Sequence, residues 1–343
     1  IYVGLFNNGL SAQDFPSSLV LHADRGLRYK PATRLENACA TGSAAIYGAL
    51  DFLAAGRGRL ALVVGAEKMT ATPGPQIGEI LLKASYVREG TGGASSFVGV
   101  FGQIAQQYFE RYGDRSAALA RIASKNHRNG VDNPFAQMRK DLGFEFCNQV
   151  SAGNPYVAAP LRRTDCSPVS DGAAALVLAN AETARTLRKA VAFRAAVQVN
   201  EYLPIAGRDM TRFDGAALAW QKGLRQAAVQ LLDQDLVETH DCFTIAELIE
   251  YEAMGLTGPG EGHIAIDEGW VEKGGKLPIN PSGGLKAKGH PIGATGVSMH
   301  ALAAMQLTGS AQAMQLPDAC LAGVFNMGGA AVANYLSILE RVA

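Results

Sequence analysis

Four short segments of the sequence carry residue types that can do chemistry. The first is NACATGS (residues 37–43), in which Cys39 stands among small residues directly before a stretch with helical spacing of apolar residues. A thiol at the start of a helix faces unpaired backbone amides and the positive end of the helix dipole, both of which favour the thiolate. The segment predicts a nucleophilic cysteine, and a buried unreactive cysteine is the alternative.

The second segment is the glycine-dense run NPSGGLKAKGHPIGATG (residues 280–296), which contains His290 and leads into another helical pattern. Glycines let a backbone approach a ligand closely and let a loop aim a side chain that a helix would point elsewhere. A solvated loop histidine is the alternative. The density of glycine and the Pro that follows His290 favour a functional histidine.

The remaining two segments are THDCFT (residues 239–244), with His240 and Cys242, and FNMGGA (residues 325–330). The first lies between an apolar run and an amphipathic stretch, a boundary that places side chains at the lip of a sheet, where α/β proteins bind ligands. A helix cap with His240 and Cys242 packed nearby is the alternative. The second leaves an apolar run through paired glycines, which suits either a backbone N–H aimed at an oxyanion or a plain tight turn.

Composition limits the kinds of function that the chain can have. It has 343 residues, 48% of them hydrophobic, with 31 basic and 31 acidic side chains. A net charge of zero leaves no broad basic surface for nucleic acid or an anionic membrane. Its five cysteines are widely spaced and lack metal-type pairs, which disfavours a disulfide framework or a metal site and fits a reducing, cytoplasmic compartment. We find neither a signal peptide nor a membrane span in the pattern.

The elements that must position these residues alternate between helices and short buried strands, so the fold class is α/β. A helix is predicted at 43–55 and a strand at 60–65, and the same order recurs as a helix at 297–307 and a strand at 320–325. Each strand is followed by a further apolar run, at 173–179 and 331–339. Both helices open with a matching motif, CATG (39–42) and GATG (293–296), which indicates an internal duplication.

The duplication predicts the domain organisation. Residues 1–69 and 160–184 form the N-terminal half, 185–343 form the C-terminal half, and 70–159 form an inserted lobe with helices at 97–112 and 116–126. The second half has a strand candidate at 191–199 and a helix candidate at 216–232 before His240, whereas the first half begins directly at Ile1. We therefore expect that a first strand and helix of the N-terminal half are absent from the sequence.

Together the segments resemble the thiolase superfamily over nearly the whole chain. NACATGSAA resembles its nucleophile motif and GGLKAKGHPIGATG its histidine signature. Ordinary thiolases carry an Asn-Glu-Ala-Phe type segment and a C-terminal Cys-x-Gly, where this chain has HDCF (240–243) and NMG (326–328). That combination, with RTDCSPVSDGAAALVLA (163–179), is similar to the sterol-carrier-protein type of thiolase, and we expect a stand-alone form without a carrier domain.

The resemblance implies a duplicated fold of two mixed sheets in five αβαβα layers, and a homodimer or dimer of dimers. It implies that Cys39 attacks a 3-oxoacyl-CoA with help from His290 and forms an acyl-enzyme. His240 and His290 would stabilise the departing enolate, Cys242 would supply its proton, and the amides of Cys39 and Gly328 would form a second oxyanion hole. Acyl-CoA and CoA would be substrates, with no permanently bound cofactor and no metal.

Other members of the superfamily are alternatives to this assignment. Ketoacyl synthases use two histidines and hydroxymethylglutaryl synthases a glutamate, and Cys242 argues against both. A thiolase-like retro-aldolase acting on steroid side-chain CoA thioesters needs no acyl-enzyme, and Cys39 in its full motif argues against it. A non-catalytic acyl-CoA-binding protein would have no need of all four side chains.

Overall fold

The computed structural model of the chain describes residues 1–89, 94 and 96–342. Residues 90–93 and 95 of the predicted lobe, and the last residue of the predicted C-terminal half, lie outside the described part. The strands are β1 (Tyr2–Gly4), β2 (Thr33–Leu35), β3 (Leu60–Glu67), β4 (Tyr156–Ala158), β5 (Leu161–Arg162), β6 (Gly172–Ala179), β7 (Val191–Asn200), β8 (Leu236–Glu238), β9 (Leu321–Gly328) and β10 (Ala333–Arg341).

The α-helices are α1 (Pro16–Leu19), α2 (Thr41–Ala54), α3 (Gly74–Leu82), α4 (Phe97–Tyr112), α5 (Ser116–Val131), α6 (Gly143–Asn148), α7 (Ala181–Ala184), α8 (Asp214–Ala227), α9 (Thr244–Ala253), α10 (Gly262–Asp267), α11 (Gly284–Lys288) and α12 (Ile292–Leu307). None of the described helices is both long and apolar enough to cross a membrane.

Two four-stranded mixed sheets contain the same three-strand unit. The first has the order β2-β1-β3-β6, with β1 parallel to β2 and β3 and with β6 antiparallel to β3. The second has the order β7-β10-β9-β8, with β8 parallel to β9 and with β10 antiparallel to both β9 and β7. The unit β1-β3-β6 therefore corresponds to β8-β9-β10, which confirms the predicted duplicated α/β fold.

Helices α2 and α12 lie side by side between the two sheets. A Cβ atom on Gly42 would lie 2.8 Å from the amide nitrogen of Gly296, so the helices cross where neither residue has a side chain. Gly42 and Gly296 are the last residues of the matching CATG and GATG motifs. Contact between equivalent positions is what a pseudo-two-fold axis between duplicated halves requires. Helix α8 packs on the outer side of the second sheet, against β7 and β10.

Strand β3 shows how its sequence fits this layer arrangement. Its residues alternate, with Ala61, Val63, Gly65 and Glu67 buried and the residues between them half-buried. Alternation of this kind places one face of the strand against a core. Gly65 lies on the buried face, where a Cβ atom would be 2.5 Å from the carbonyl oxygen of Gly293 in α12.

The elements between β3 and β6 pack against the second half and support its site loops. Helices α4 and α5 both contact α9, and the rings of Phe101 in α4 and Phe243 stack with centroids 4.4 Å apart. Lys125 of α5 is fully buried and forms an ion pair of 2.7 Å with Glu247 of α9. The division into two halves and a lobe at the predicted boundaries stays a prediction.

The helix predicted at 216–232 in the C-terminal half differs from the observed one. Helix α8 ends at Ala227, and Ala228 adopts a left-handed backbone conformation with φ 53°. A short 3₁₀ turn, Leu231–Asp233, follows. Apolar residues at 231 and 232 continue the helical spacing, so the backbone reversal at Ala228 cannot be recognised from periodicity.

Candidate active site

The loop that carries Cys39 is tightly turned before α2. Ala38 has a φ of 48°, and the amides of Ala40 and Thr41 donate to the carbonyls of Asn37 and Ala38, each at 3.1 Å. Cys39 is thereby held at the inner end of α2, with 6% of its surface exposed. The predicted nucleophile lies between the two halves of the fold.

The protonation state of Cys39 differs from the expectation that the helix start favours a thiolate. Burial raises the pKa of the Cys39 thiol to about 12, and Glu36 and Glu67 act in the same direction. The backbone amide of Gly329 lowers the pKa of this thiol but does not offset the burial. Cys39 is therefore a neutral thiol in the resting protein, and a base must take its proton before it can attack.

Two predicted histidines lie beside this thiol. The sulfur of Cys39 and one ring nitrogen each of His240 and His290 all lie within 4.8 Å of one another. The two imidazole rings meet edge to face, with centroids 5.0 Å apart and planes at 83°. Neither Nε2 atom has a hydrogen-bond partner within the described residues. Both Nε2 atoms are thus free to interact with a substrate.

Both histidines are neutral in the resting site. Burial lowers the pKa of His290 to about 3, with a smaller contribution from the nearby Lys288 ammonium. Burial also places the pKa of His240 well below its usual value of 6.5, and His290 and Lys288 add to this effect. The site therefore combines a neutral thiol with two neutral imidazoles, a set that can exchange a proton internally.

Cys242 is buried next to this group, with 3% of its surface exposed. Burial, followed by the neighbouring Cys39 and Glu250, raises the pKa of the Cys242 thiol well above its usual value. Its carbonyl accepts a hydrogen bond of 2.9 Å from the amide of Ser167, and the next residue, Phe243, is the one that stacks on Phe101. Cys242 therefore carries a proton at neutral pH, as a general acid must.

The paired glycines after β9 lie against the Cys39 loop. A Cβ atom on Gly328 would be 2.5 Å from the carbonyl oxygen of Asn37 and 3.2 Å from the amide of Ala40. The amides that lower the pKa of the Cys39 thiol are that of Gly329, one residue beyond the predicted Gly328, and that of Cys39 itself. The structure thus supplies a backbone donor at Cys39, and the role of Gly328 itself stays a prediction.

Asp241 joins the two loops that carry the histidines. Its carboxylate accepts hydrogen bonds from the amides of Leu285 at 2.6 Å and Lys286 at 3.1 Å, and from Nδ2 of Asn126 at 2.8 Å. Any side chain on Gly284 would collide with this carboxylate. A helix cap was the alternative for this segment, but the Asp241 carboxylate binds the first turn of α11, more than 40 residues away in the sequence, and does not cap α9.

Other residues that hold the site were not singled out from the sequence. The amide of His290 donates to Ser170 Oγ at 2.8 Å, and its Nδ1 lies 2.7 Å from Thr295 Oγ1. His240 Nδ1 lies 2.9 Å from Nδ2 of Asn326. Thr295 and Asn326 belong to the motifs that identified the site, so their place in the sequence was a signal, but their partners depend on the fold.

The site combines a buried cysteine at the start of an inner helix with two neutral histidines and a second buried cysteine. In a duplicated α/β fold, this combination defines a protein of the thiolase class. The chain belongs to the thiolase family: the family model for the thiolase N-terminal domain matches residues 1–143, and that for the thiolase C-terminal domain-like region matches residues 196–341.

Among known proteins, the chain is 34% identical over 345 residues to an acetyl-CoA acetyltransferase of Methanothermobacter thermautotrophicus, covering 99% of this chain and 88% of that protein. It is 33% identical over 333 residues to sterol carrier protein 2 of Oryctolagus cuniculus, covering 90% of this chain but only 58% of the rabbit protein. The solved structure of an Ltp2–ChsH2(DUF35) aldolase has the same fold, with a TM-score of 0.82, 22% identity, and coverage of 99% of this chain and 86% of that chain.

Proposed function

We propose that the chain is an acyl-CoA:acetyl-CoA acyltransferase, a 3-oxoacyl-CoA thiolase that works through an acyl group on Cys39. The observation that carries the proposal is the grouping of the Cys39 sulfur with His240 and His290 within 4.8 Å, with both Nε2 atoms unpartnered in the described part of the chain. The relationship to an acetyl-CoA acetyltransferase over 99% of the chain supports it.

The first half of the proposed reaction forms the acyl-enzyme. His290 Nε2 takes the proton of Cys39, and the thiolate adds to the 3-keto carbon of a 3-oxoacyl-CoA. The amides of Cys39 and Gly328 donate to the resulting alkoxide. The bond between C2 and C3 then breaks, its electron pair moves into an enolate, and the enolate oxygen accepts hydrogen bonds from His240 and the newly protonated His290. The Cys242 thiol protonates C2, so that acetyl-CoA, or a longer acyl-CoA, leaves.

The second half returns the site to its starting state. The Cys242 thiolate takes the proton of incoming CoA, and the CoA thiolate attacks the carbonyl carbon of the acyl group on Cys39. The Cys39 thiolate leaves and recovers its proton from His290. Because every step is reversible, the same groups perform a Claisen condensation when two acyl-CoA molecules are supplied.

The neutral resting state gives this scheme a physical advantage. Burial disfavours a permanent thiolate–imidazolium pair, because it opposes the charged form of both side chains. Charge therefore develops only as the thiol attacks, when the substrate provides an oxyanion next to the donors. Donors fixed in place before the charge appears are the usual source of the largest catalytic effect.

The test is CoA-dependent cleavage of acetoacetyl-CoA, measured as acetyl-CoA formed. We expect wild type to turn over repeatedly only when CoA is added, Cys39→Ala to be inactive, and Cys242→Ala to lose about 10²- to 10⁴-fold in rate, the usual worth of a positioned acid/base group. Cys320→Ala is the matched control, because this cysteine is only partly buried and lies next to Asp318 and Arg341, outside the site.

Other outcomes would identify the alternatives. Cleavage of a 3-hydroxy steroid side-chain CoA thioester that needs no CoA and persists in Cys39→Ala, with no cleavage of acetoacetyl-CoA, would indicate a retro-aldolase. Tight binding of acyl-CoA without turnover would indicate a binding protein. Full thiolytic activity in Cys242→Ala would remove the acid/base role proposed for Cys242.

We also propose that the protein forms a homodimer through the edge of the first sheet. Strand β2 is the edge strand there and directly precedes the Cys39 loop, and Tyr29, just before it, is 84% exposed. An open edge strand offers unpaired backbone groups to a second copy. Light scattering at micromolar concentration should give twice the mass of one chain, and a monomer would contradict the proposal.

A further inference from the structure

Asn326 lies in β9 beneath the catalytic group and is fully buried. Its side chain makes three contacts. Nδ2 lies 3.2 Å from the carbonyl oxygen of Cys39 and 2.9 Å from Nδ1 of His240, and Oδ1 lies 2.8 Å from the hydroxyl of Ser43. The side chain therefore joins the nucleophile loop to one of the two histidines.

These contacts fix which end of the Asn326 amide faces the histidine. A carbonyl oxygen only accepts hydrogen bonds, so the atom next to the Cys39 carbonyl must be the NH₂ group. The Ser43 hydroxyl can donate or accept and fits this orientation by donating to Oδ1. The orientation is thus decided by the backbone of Cys39, without reference to His240.

The same NH₂ group decides the tautomer of His240. An amide NH₂ donates and does not accept, so His240 Nδ1 must be the acceptor and carry no proton. A neutral imidazole has one N–H, and burial keeps the pKa of His240 well below 6.5. The proton therefore sits on Nε2, the unpartnered nitrogen.

His290 is held in the opposite state. Its Nδ1 lies 2.7 Å from Thr295 Oγ1, and that hydroxyl donates to the carbonyl oxygen of Pro291 at 3.1 Å. Because the Thr295 hydroxyl directs its hydrogen at Pro291, its oxygen accepts a hydrogen bond from Nδ1 of His290. The proton of this neutral imidazole is therefore on Nδ1, and Nε2 has a lone pair. One unpartnered nitrogen of the site is thus a donor and the other a base.

We propose that Asn326 is a positioning residue that holds His240 with its proton on Nε2, so that this N–H is the fixed donor to the enolate oxygen. The role toward the enolate rests on the proposed thiolase function, whereas the tautomer does not. The resemblance described above places Asn326 where other thiolases carry an acid/base cysteine. The replacement of that cysteine by Asn326 has two effects. It removes a group that can carry a proton, and it supplies an amide that fixes the tautomer of His240.

The tautomer also bears on metal binding. The sulfur of Cys39 and a nitrogen from each histidine lie close enough together to resemble a three-ligand metal site. A metal ion binds the lone pair of a neutral imidazole, and on His240 the free nitrogen carries the proton instead. The amide of Asn326 therefore favours a hydrogen-bond donor over a metal ligand at this position.

The test is the ¹⁵N NMR spectrum of the resting protein labelled at its histidines, six in number, near neutral pH. A His240→Gln variant identifies the signals of His240 by their disappearance. We expect a protonated Nε2 and an unprotonated Nδ1 in wild type and in Ser43→Ala, which keeps the Cys39 contact. In Asn326→Asp, the carboxylate only accepts, so the proton should move to Nδ1.

Kinetics provide the second readout. Asn326→Asp should lower kcat for acetoacetyl-CoA cleavage by about 10²- to 10³-fold, the loss expected for one oxyanion donor, with KM little changed. A proton on Nδ1 in wild type, or on Nε2 in a folded Asn326→Asp, would overturn the proposal. If NMR shows the predicted tautomers but the protein has no CoA-dependent cleavage, the thiolase function is refuted and the positioning role of Asn326 is still supported.

Discussion

Removing the Asp241 carboxylate tests whether one side chain holds the two histidine loops in register. In Asp241→Ala, the amides of Leu285 and Lys286 lose their acceptor inside the protein, and Nδ2 of Asn126 keeps only its hydrogen bond to Glu247. A buried donor without a partner costs about 1–3 kcal/mol. Part of this is offset because the carboxylate itself is unfavourably buried: burial and the neighbouring Glu247 raise the pKa of Asp241 to about 7.

We therefore expect Asp241→Ala to lower the free energy of unfolding by about 2–5 kcal/mol. The activity should fall further than stability alone explains, because His240 is adjacent to Asp241 and His290 follows the turn that Asp241 binds. A displacement of 1 Å at a catalytic group costs about 10²-fold in rate. Urea unfolding and kcat for acetoacetyl-CoA cleavage, measured where the variant is fully folded, are the two assays.

Asp235→Ala is the matched control for this variant. Asp235 also accepts two backbone amides from a distant segment, those of Cys320 at 2.7 Å and Leu321 at 2.9 Å, but it is only half-buried and away from the histidines. It should lose about 1–2 kcal/mol with kcat unchanged. If Asp241→Ala unfolds within about 0.5 kcal/mol of wild type and keeps its kcat, the carboxylate does not join the loops as argued here.

Two further predictions concern the resting thiol and the helix crossing. Because burial raises the pKa of Cys39 to about 12, the rate of its alkylation by iodoacetamide should keep rising with pH beyond pH 9. Peptide mapping measures this rate, and a rate that reaches a plateau near pH 6 to 7 would show a resting thiolate. A methyl group on Gly296 would lie 2.5 Å from Asn326 Oδ1, so Gly296→Ala should lose about 1–3 kcal/mol of stability by urea unfolding. Gly74→Ala, with open space around it, should stay within about 0.5 kcal/mol of wild type, and equal stability of the two variants would contradict the close crossing.

Much of the architecture follows from local sequence patterns. The strand predicted at 60–65 and the helix predicted at 97–112 lie where the apolar periodicity placed them, since long periodic segments are the most readable. The duplication was visible because both halves keep the same order of elements and the same CATG and GATG openings. Short elements such as β2 and α11 carry too few residues for a period to show, and they were not predicted.

The site could be predicted in its members but not in its electrostatics. Four candidates could be singled out because each lies in a motif with an unusual density of small residues or with family resemblance: Cys39, His240, Cys242 and His290. The helix start favours the Cys39 thiolate but acts over one turn, whereas burial raises the pKa of this thiol and depends on both halves closing over the sulfur. The tautomer-setting contact of Asn326 also spans the halves, so no local pattern reveals it.

The central claim is that acyl transfer passes through Cys39. The most direct measurement is to mix the protein with acetoacetyl-CoA in the absence of CoA, quench the mixture with acid and map the peptides by mass spectrometry. We expect one acetyl group on the peptide that contains Cys39 in wild type and none in Cys39→Ala. When CoA is added before the quench, the acetyl group should be lost from wild type. An unmodified Cys39 in a protein that nevertheless cleaves acetoacetyl-CoA would contradict the account.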